Sequence, residues 1–216
     1  MKYLYNENSP EIQYLADKDV KLKQLISCIG PLEYSTDENS YEFLVSTIIG
    51  QMLSNKVADV IFSRLYNLCG GKIEPEVIAE ISKESFRAIG ISSSKTETIF
   101  NLTNKFRSDR NLPQTLSSLP DKVVIDTLTE IRGIGNWTAK MYLIFVLNRM
   151  DVIPYEDGAF IQAFEKIYGI TETKRNKPLT QAYCARWSPY ASIAARYLYL
   201  ALDGGYLKDS VNADGY

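Results

Sequence analysis

The segment TEIRGIGNWTAKMYLIF, residues 129 to 145, restricts the fold more than any other part of the chain. A helical pattern runs up to Ile131, and an apolar run that Asn136 can cap begins directly after Gly133 and Gly135. Glycine adopts positive φ angles and permits close approach of another backbone, so a few residues are enough to reverse the chain here. The segment therefore predicts two helices joined by a tight hairpin.

The start of the second helix is a candidate anion site. The N–H groups of Trp137, Thr138 and Ala139 belong to its first turn, where a helix provides no acceptors, and the positive end of the helix dipole adds to their effect. Such donors suit a phosphate group and could hold a DNA backbone without reading the base sequence. A plain helical hairpin with a glycine turn explains the same residues, and the segment alone does not separate the two interpretations.

The rest of the chain is also predicted to be helical. Apolar residues at helical spacing, Met52 among them, favour one long helix from Tyr41 to Leu68, with Asp37 or Ser40 as its cap. No alternation of period two persists, so the predicted fold class is all-α. Further helices are predicted at 76–81, at 85–89, from the serines at 92–94 onward, at 121–131 and from 158.

The composition excludes several kinds of chemistry. The 216 residues include no histidine, which rules out Ser-His-Asp and Cys-His catalytic groups and histidine-ligated metals. The three cysteines are far apart and form no CxxC pair, so a structural zinc or iron–sulfur site is not expected. Acid–base chemistry must therefore come from carboxylates, Lys, Tyr or water.

Charge and hydropathy bear on partners and location. The net charge of −2 argues mildly against nucleic acid. No apolar run is long enough to span a membrane and the N-terminus is polar, so we expect no membrane contact and an intracellular protein, in the cytoplasm or nucleoid, or in the nucleus of a eukaryote. Basic residues outnumber acidic ones from Gly158 to Leu200, which permits a basic face but also fits a solvated helix surface. They are Lys166, Lys174, Arg175, Lys177, Arg186 and Arg196.

Four segments, in order, carry a family resemblance. LTEIRGIGNWTAKM resembles the helix-hairpin-helix of the DNA glycosylase superfamily, and the Trp in it, with the following DVIPYED, looks like the 3-methyladenine DNA glycosylase II branch. The segments IIGQMLSNKVADVIFSRL, IGISSSKTETIFNL and RWSPYASIAARYLYL are similar to further elements of that branch. The sequence departs from the family pattern at Arg132 (usually Pro), Met52 (usually Gln) and Ala191 (usually Arg).

The resemblance implies a two-lobed, all-α helix-hairpin-helix glycosylase fold. Residues 41–149 would form the lobe that carries the hairpin, and residues 1–40 plus 150–216 the second lobe, with the catalytic Asp at the cleft and DNA across it. Only about 40 residues precede the first motif, so the N-terminal β-sheet domain of some relatives is not expected.

The resemblance also implies a reaction. Asp157 would be the catalytic carboxylate of a glycosylase that hydrolyses the N-glycosidic bond of damaged, alkylated purines such as 3-methyladenine and 7-methylguanine. From local sequence alone Asp157 is equally an N-cap, and neighbouring Glu156 is a rival that we expect to be peripheral. Relatives that also nick the strand have a lysine nucleophile where this chain has Trp137, so no abasic-site lyase activity is expected.

The remaining site residues also follow from the resemblance, and no cofactor is expected to be required. Met52 would fill the gap left by a flipped base, although a buried core position is equally possible; core packing is an equal alternative for Tyr199 and the better interpretation of Trp187. The base pocket is predicted at Trp137, Met141 and Tyr199. The DNA contacts are predicted at Gln51, Met52, Lys95 (a phosphate contact), Gly133, Ile134, Gly135 and Thr138. A structural Na⁺ or K⁺ would be held by the carbonyls of Thr129, Ile131 and Ile134.

The predicted partner is double-stranded DNA that contains a damaged base, bound by a monomer because one flipped base needs one pocket. Two alternatives stay open. One is a glycosylase for another base, namely uracil, a mismatched base or an oxidised purine. The other is a DNA-binding module that recognises lesions without cutting.

Overall fold

The computed structural model describes residues 1–170 and 177–207, in which the regular secondary structure is helical apart from one small sheet. The all-α prediction is therefore confirmed. In this part of the chain no helix is long and apolar enough to cross a membrane. The helices are α1 (Pro10–Lys18), α2 (Val20–Ile29), α3 (Ser40–Gly50), α4 (Asn55–Leu68), α5 (Pro75–Ala79), α6 (Lys83–Ala88), α7 (Ser93–Ser108), α8 (Leu112–Ser118), α9 (Asp121–Thr129), α10 (Asn136–Phe145), α11 (Gly158–Tyr168), α12 (Lys177–Cys184) and α13 (Ala191–Asp203), with a 3₁₀ turn at Ala185–Trp187.

Contacts divide the chain into two compact units. One consists of Met1–Thr36 and Asn148–Tyr216, and the other of Asp37–Leu147. The first unit contains the sheet, in which β1 (Lys2–Tyr5) pairs antiparallel with β2 (Leu32–Ser35) and Tyr3 lies opposite Tyr34. The sequence did not predict these strands, because four residues are too few to display an alternating pattern.

The core of the first unit is rich in aromatic rings that surround the buried carboxylate of Asp19. Asp19 is 3% exposed. Its Oδ1 accepts the N–H of Leu22 at 3.0 Å and thereby caps α2, while Oδ2 accepts the indole N–H of Trp187 at 2.8 Å and the hydroxyl of Tyr168 at 3.1 Å. A buried carboxylate is tolerated only when it is hydrogen-bonded in this way. Trp187, which is 0% exposed, is thus a core residue, as predicted.

In the second unit, the predicted helix from Tyr41 to Leu68 is two helices. The prediction of one continuous helix is wrong, because a turn at residues 51–54 separates α3 from α4. The apolar spacing continues across this break, so the periodicity did not reveal it. The cap of α3 is neither Asp37 nor Ser40 but Asn39, whose Oδ1 accepts the N–H of Glu42 at 3.1 Å.

Helix α7 packs against α3, α5 and α6 within the second unit. It begins where the serine cluster predicted, since the Ser92 hydroxyl accepts the N–H of Lys95 at 3.4 Å. Helices α9 and α10 pack against each other, and α10 also contacts α3. The hairpin between α9 and α10 and the turn between α3 and α4 are therefore held in the same unit as α7.

Candidate functional site

Asp157 is the N-cap of α11, as the sequence predicted. Its φ and ψ of −82° and 125° are extended, and its Oδ1 accepts the N–H of Phe160 at 2.7 Å. The residue is only 8% exposed, whereas neighbouring Glu156 is exposed. The carboxylate is thus fixed at the positive end of a helix dipole, in a defined orientation.

Tyr199 on α13 lies in the same unit as Asp157. Its ring is partly exposed, but its hydroxyl oxygen is buried. Burial raises the pKa of Tyr199 well above the ordinary value for tyrosine, and the nearby Asp157 carboxylate adds to that rise. The phenol therefore remains protonated at neutral pH, close to the predicted catalytic carboxylate. The sequence reasoning assigned Tyr199 to the base pocket and missed this relation to Asp157.

Arg196 does not belong to a basic face. The side chain is 7% exposed and its guanidinium carbon lies 3.6 Å from the centroid of the Tyr34 ring. Burial lowers the pKa of Arg196. Of the other basic residues predicted for such a face, Lys174 and Arg175 lie outside the described residues.

The hairpin between α9 and α10 requires a glycine at position 133. The N–H of Ile134 donates to the carbonyl of Ile131 at 2.9 Å, and Gly133 has a φ of 98°. A Cβ at this position would lie 1.9 Å from Oγ1 of Thr98 on α7. Both the backbone conformation and the approach of Thr98 therefore exclude a side chain here.

The second glycine of the hairpin differs from the first. Gly135, rather than the predicted Asn136, is the N-cap of α10, and the first bond of the helix runs from the Ala139 N–H to the Gly135 carbonyl at 3.1 Å. Its φ is −109°, and a Cβ built there would meet nothing within 4 Å. The protein's own packing does not require glycine at 135, and the start of α10 is open at this point.

Met52 occupies the turn that separates α3 from α4. The N–H of Leu53 donates to the carbonyl of Gly50 at 3.0 Å, Gln51 has φ and ψ of −50° and 125°, and Met52 has a φ of 59°. These values match a type II turn, which favours glycine at the position of Met52. Met52 is 100% exposed, so the alternative of a buried core residue is wrong. A left-handed conformation at a residue other than glycine costs about 1–3 kcal/mol.

Two side chains anchor Gln51, the residue before Met52. The Lys95 ammonium donates to the Gln51 carbonyl at 2.7 Å and to the Ile49 carbonyl at 2.8 Å. The Gln51 amide donates to Oγ1 of Thr138 at 3.2 Å. Thr138 as a whole, backbone included, is only 1% exposed, so it supports Gln51 and does not present the predicted DNA contact at the surface. The structure likewise directs Lys95 to backbone carbonyls instead of the predicted phosphate.

One face of α7 reaches both turns. Lys95, Thr98 and Asn101 are three residues apart, a spacing that places them along one side of the helix. Lys95 binds the turn of Met52, Thr98 packs against Gly133, and the Asn101 amide donates to the carbonyl of Arg132 at 3.2 Å. The sequence reasoning missed Thr98 and Asn101, although their spacing from Lys95 was a usable signal.

The predicted pocket residues of the second unit are on α10, where Trp137 is half-buried and Met141 is 6% exposed. The predicted cation ligands precede them. The Thr129 hydroxyl donates to the carbonyl of Ile125 at 2.9 Å, and the Ile131 carbonyl accepts one N–H, which leaves it a second lone pair. Neutral carbonyl oxygens of this kind fit Na⁺ or K⁺. Within residues 1–170 and 177–207, no group of three His, Cys, Asp or Glu side chains could hold a metal.

Comparison with known proteins identifies the family of this chain. The sequence model described as the HhH-GPD superfamily base excision DNA repair protein matches residues 45–189. DNA-3-methyladenine glycosylase 1 of Schizosaccharomyces pombe is 30% identical over 195 residues, which cover 86% of this chain and 84% of that protein.

Solved structures match over nearly the whole chain. A DNA-3-methyladenine glycosidase from Bacillus halodurans superposes with a TM-score of 0.81 and 32% identity, over 96% of this chain and 95% of its own. The S. pombe 3-methyladenine DNA glycosylase in complex with abasic DNA has a TM-score of 0.81 and 27% identity, over 90% of this chain and 97% of its own. The chain therefore belongs to the HhH-GPD superfamily of base excision DNA repair proteins.

Proposed function

We propose that this protein is a DNA glycosylase that removes alkylated purines, 3-methyladenine and 7-methylguanine, in base excision repair. The observation that carries the proposal is the buried Asp157 carboxylate, fixed by the Phe160 N–H at the start of α11. Relatives named for 3-methyladenine support this base as a substrate. The choice of 7-methylguanine and the placement in the type II branch rest on the motif resemblance. The complex of the S. pombe neighbour with abasic DNA also supports it, because an abasic site is what base excision leaves.

The reaction breaks the bond between C1′ of the deoxyribose and the base nitrogen. The base must first leave the stack, which costs a few kcal/mol. A methyl group on N3 or N7 makes the purine cationic, so the base leaves with the bonding electron pair as a neutral molecule and needs no proton. A water molecule then adds to C1′ and releases a proton, giving the abasic sugar. This route suits a chain that contains no histidine.

Asp157 would stabilise the positive charge that develops on the sugar and orient the water. Its bond to the Phe160 N–H fixes one carboxylate oxygen before substrate binds. The protonated hydroxyl of Tyr199 beside it adds a second polar group that holds a defined state at neutral pH. Preorganised groups of this kind need no rearrangement at the moment of reaction.

The two turns of the second unit would hold the DNA. The open start of α10 at Gly135 would receive a phosphate group of the DNA backbone. The neighbouring Ile134 is buried and would hold the turn in place. Met52, fully exposed at the tip of its turn, would enter the space that a flipped base leaves in the duplex. A Na⁺ or K⁺ on the carbonyls of Thr129, Ile131 and Ile134 would add positive charge to the hairpin when bound.

Trp137 and Met141, both on α10, are the proposed base contacts of the second unit. An indole ring binds a cationic base more strongly than a neutral one, which favours alkylated purines. Trp137 also cannot form a Schiff base, so the enzyme would be monofunctional and leave the strand intact. We propose that it acts as a monomer on double-stranded DNA.

A substrate panel tests the proposal. Duplexes with 3-methyladenine, 7-methylguanine, uracil, a mismatched base and an oxidised purine are incubated with the protein, and free base and strand breaks are measured separately. Release of methylated purines with unbroken strands before alkali treatment is expected. Release of only another base would show that the proposed substrate is wrong. Tight binding of lesion DNA without release of any base would show that the protein is a lesion-binding module and not an enzyme. Strand breakage without alkali would overturn the monofunctional assignment.

A further inference from the structure

The conformation of the turn at Gly50–Leu53 depends on one peptide group. Type I and type II turns differ mainly by a flip of the peptide between their two central residues. In this turn that peptide joins Gln51 to Met52, and the type II form places Met52 at a φ of 59°. The type I form would give Met52 a negative φ, which methionine prefers. Something must therefore hold the peptide in the less favourable orientation.

Lys95 is in a position to do so. Its ammonium donates at 2.7 Å to the Gln51 carbonyl, which belongs to that central peptide, and at 2.8 Å to the Ile49 carbonyl in the last turn of α3. A flipped peptide would carry the Gln51 oxygen away from this donor. The ammonium thus stabilises the type II form and leaves the type I form without this bond.

The location of Lys95 is unfavourable for an ordinary surface lysine. It is in the first turn of α7, at the positive end of that helix dipole. The side chain is half-buried, and burial lowers the pKa of its ammonium. The compensating partners are carbonyls at the negative end of the α3 dipole. These contacts explain why a lysine is tolerated here.

We propose that Lys95 is a positioning residue, which holds the Gln51–Met52 peptide so that Met52 projects into solvent in the conformation that enters DNA. The assignment rests on the proposed function, since Met52 acts on DNA in it. The Gln51 amide, bound to Thr138, anchors the same residue from its side chain.

The test uses Lys95→Leu, which removes the donors and keeps an apolar side chain. The first readout is the NMR signal of the Met52 methyl group in the free protein. The chain contains four methionines. The signal of buried Met141 reports whether the fold is intact. Lys56→Leu, at an exposed lysine in the first turn of α4, is the matched control for loss of one positive charge. Lys95→Arg, which retains donors, is the second variant should Lys95→Leu fail to fold.

The second readout is affinity for abasic duplex DNA, measured over a range of salt concentrations. We expect Lys95→Leu to shift the Met52 signal alone and to weaken binding about tenfold in the wild-type background and not in a Met52→Ala background. Lys95→Arg should retain the Met52 signal and most of the affinity. Lys56→Leu should leave the Met52 signal unchanged.

Three results would overturn the proposal. The first is an unchanged Met52 signal in Lys95→Leu. The second is additive effects of Lys95→Leu and Met52→Ala on DNA affinity. The third is a decrease of about 0.9 in the steepness of log affinity against log salt concentration, as for a lost phosphate contact. None of these readouts needs base release. A wild-type protein that binds abasic DNA but excises nothing would therefore refute the proposed function and leave the role of Lys95 to be decided by these data.

Discussion

Two turns of the second unit have nearly the same backbone structure but differ in the residue at their third position. In the hairpin turn Ile131–Ile134 and in the turn Gly50–Leu53, the fourth N–H donates to the first carbonyl, at 2.9 and 3.0 Å. Both have a positive φ at the third residue, and in both a side chain of α7 holds the central carbonyl. The third residue is Gly133 in one and Met52 in the other.

The difference shows which turn serves the fold. Gly133 meets a need within the protein, because Thr98 leaves no room for a Cβ. Met52 meets none, because it is fully exposed and its backbone conformation disfavours folding. We propose that an interaction outside the free protein accounts for a strained residue without packing contacts, and the proposed function supplies one in the DNA duplex.

The largest expected effect is that of Gly133→Ala. Its Cβ would overlap Oγ1 of Thr98, and the positive φ adds strain, so we expect the free energy of unfolding to fall by about 3 kcal/mol or more. Denaturant unfolding of the purified variant measures this. An Ala variant as stable as the wild type would show that the hairpin does not need glycine for the fold.

Gly135→Ser is the matched substitution at the open glycine. Serine is a good N-cap and suits the extended backbone at 135, so stability should stay equal or rise by up to about 1 kcal/mol. Its side chain would occupy the space proposed for a phosphate, and affinity for abasic DNA should fall about tenfold, the equivalent of one lost charge-assisted hydrogen bond. Unchanged DNA affinity would remove Gly135 from the DNA contacts.

Met52→Gly should change stability only slightly, in the direction opposite to Gly133→Ala. Glycine relieves the strain at positive φ but gives up more chain entropy, so the free energy of unfolding should rise by about 0.5–1 kcal/mol. Met52→Ala retains the strain and should not gain stability. Both variants should lose affinity for lesion DNA to a similar degree. Full affinity in both would mean that the exposed methionine does not act on DNA.

The same comparison explains what the sequence could predict. The hairpin was predictable because glycine itself signals a positive φ, and Asp157 because an N-cap precedes a helix of clear periodicity. The break after α3 was not, since Met52 fits the apolar spacing of a helix whether it is buried or exposed. The cap of α10 was also mispredicted. Asn136 is the better capping residue by type, but the helix begins at Asn136 and its cap is the preceding residue, Gly135.

Contacts between distant residues were also beyond the sequence. Lys95 and Arg196 both looked like surface cations, and only the fold brings one to the carbonyl of Gln51 and the other under Tyr34. A lone sequence gives the charge of a side chain but not the element packed against it.

Asp157→Asn tests the proposed function most directly. Asparagine caps a helix about as well as aspartate, so the thermal unfolding of the variant should match the wild type. Under single-turnover conditions, release of 3-methyladenine from duplex DNA should fall at least about a hundredfold, because the amide cannot stabilise the sugar cation. Equal stability with a wild-type rate of release would contradict the account and reduce Asp157 to a helix cap.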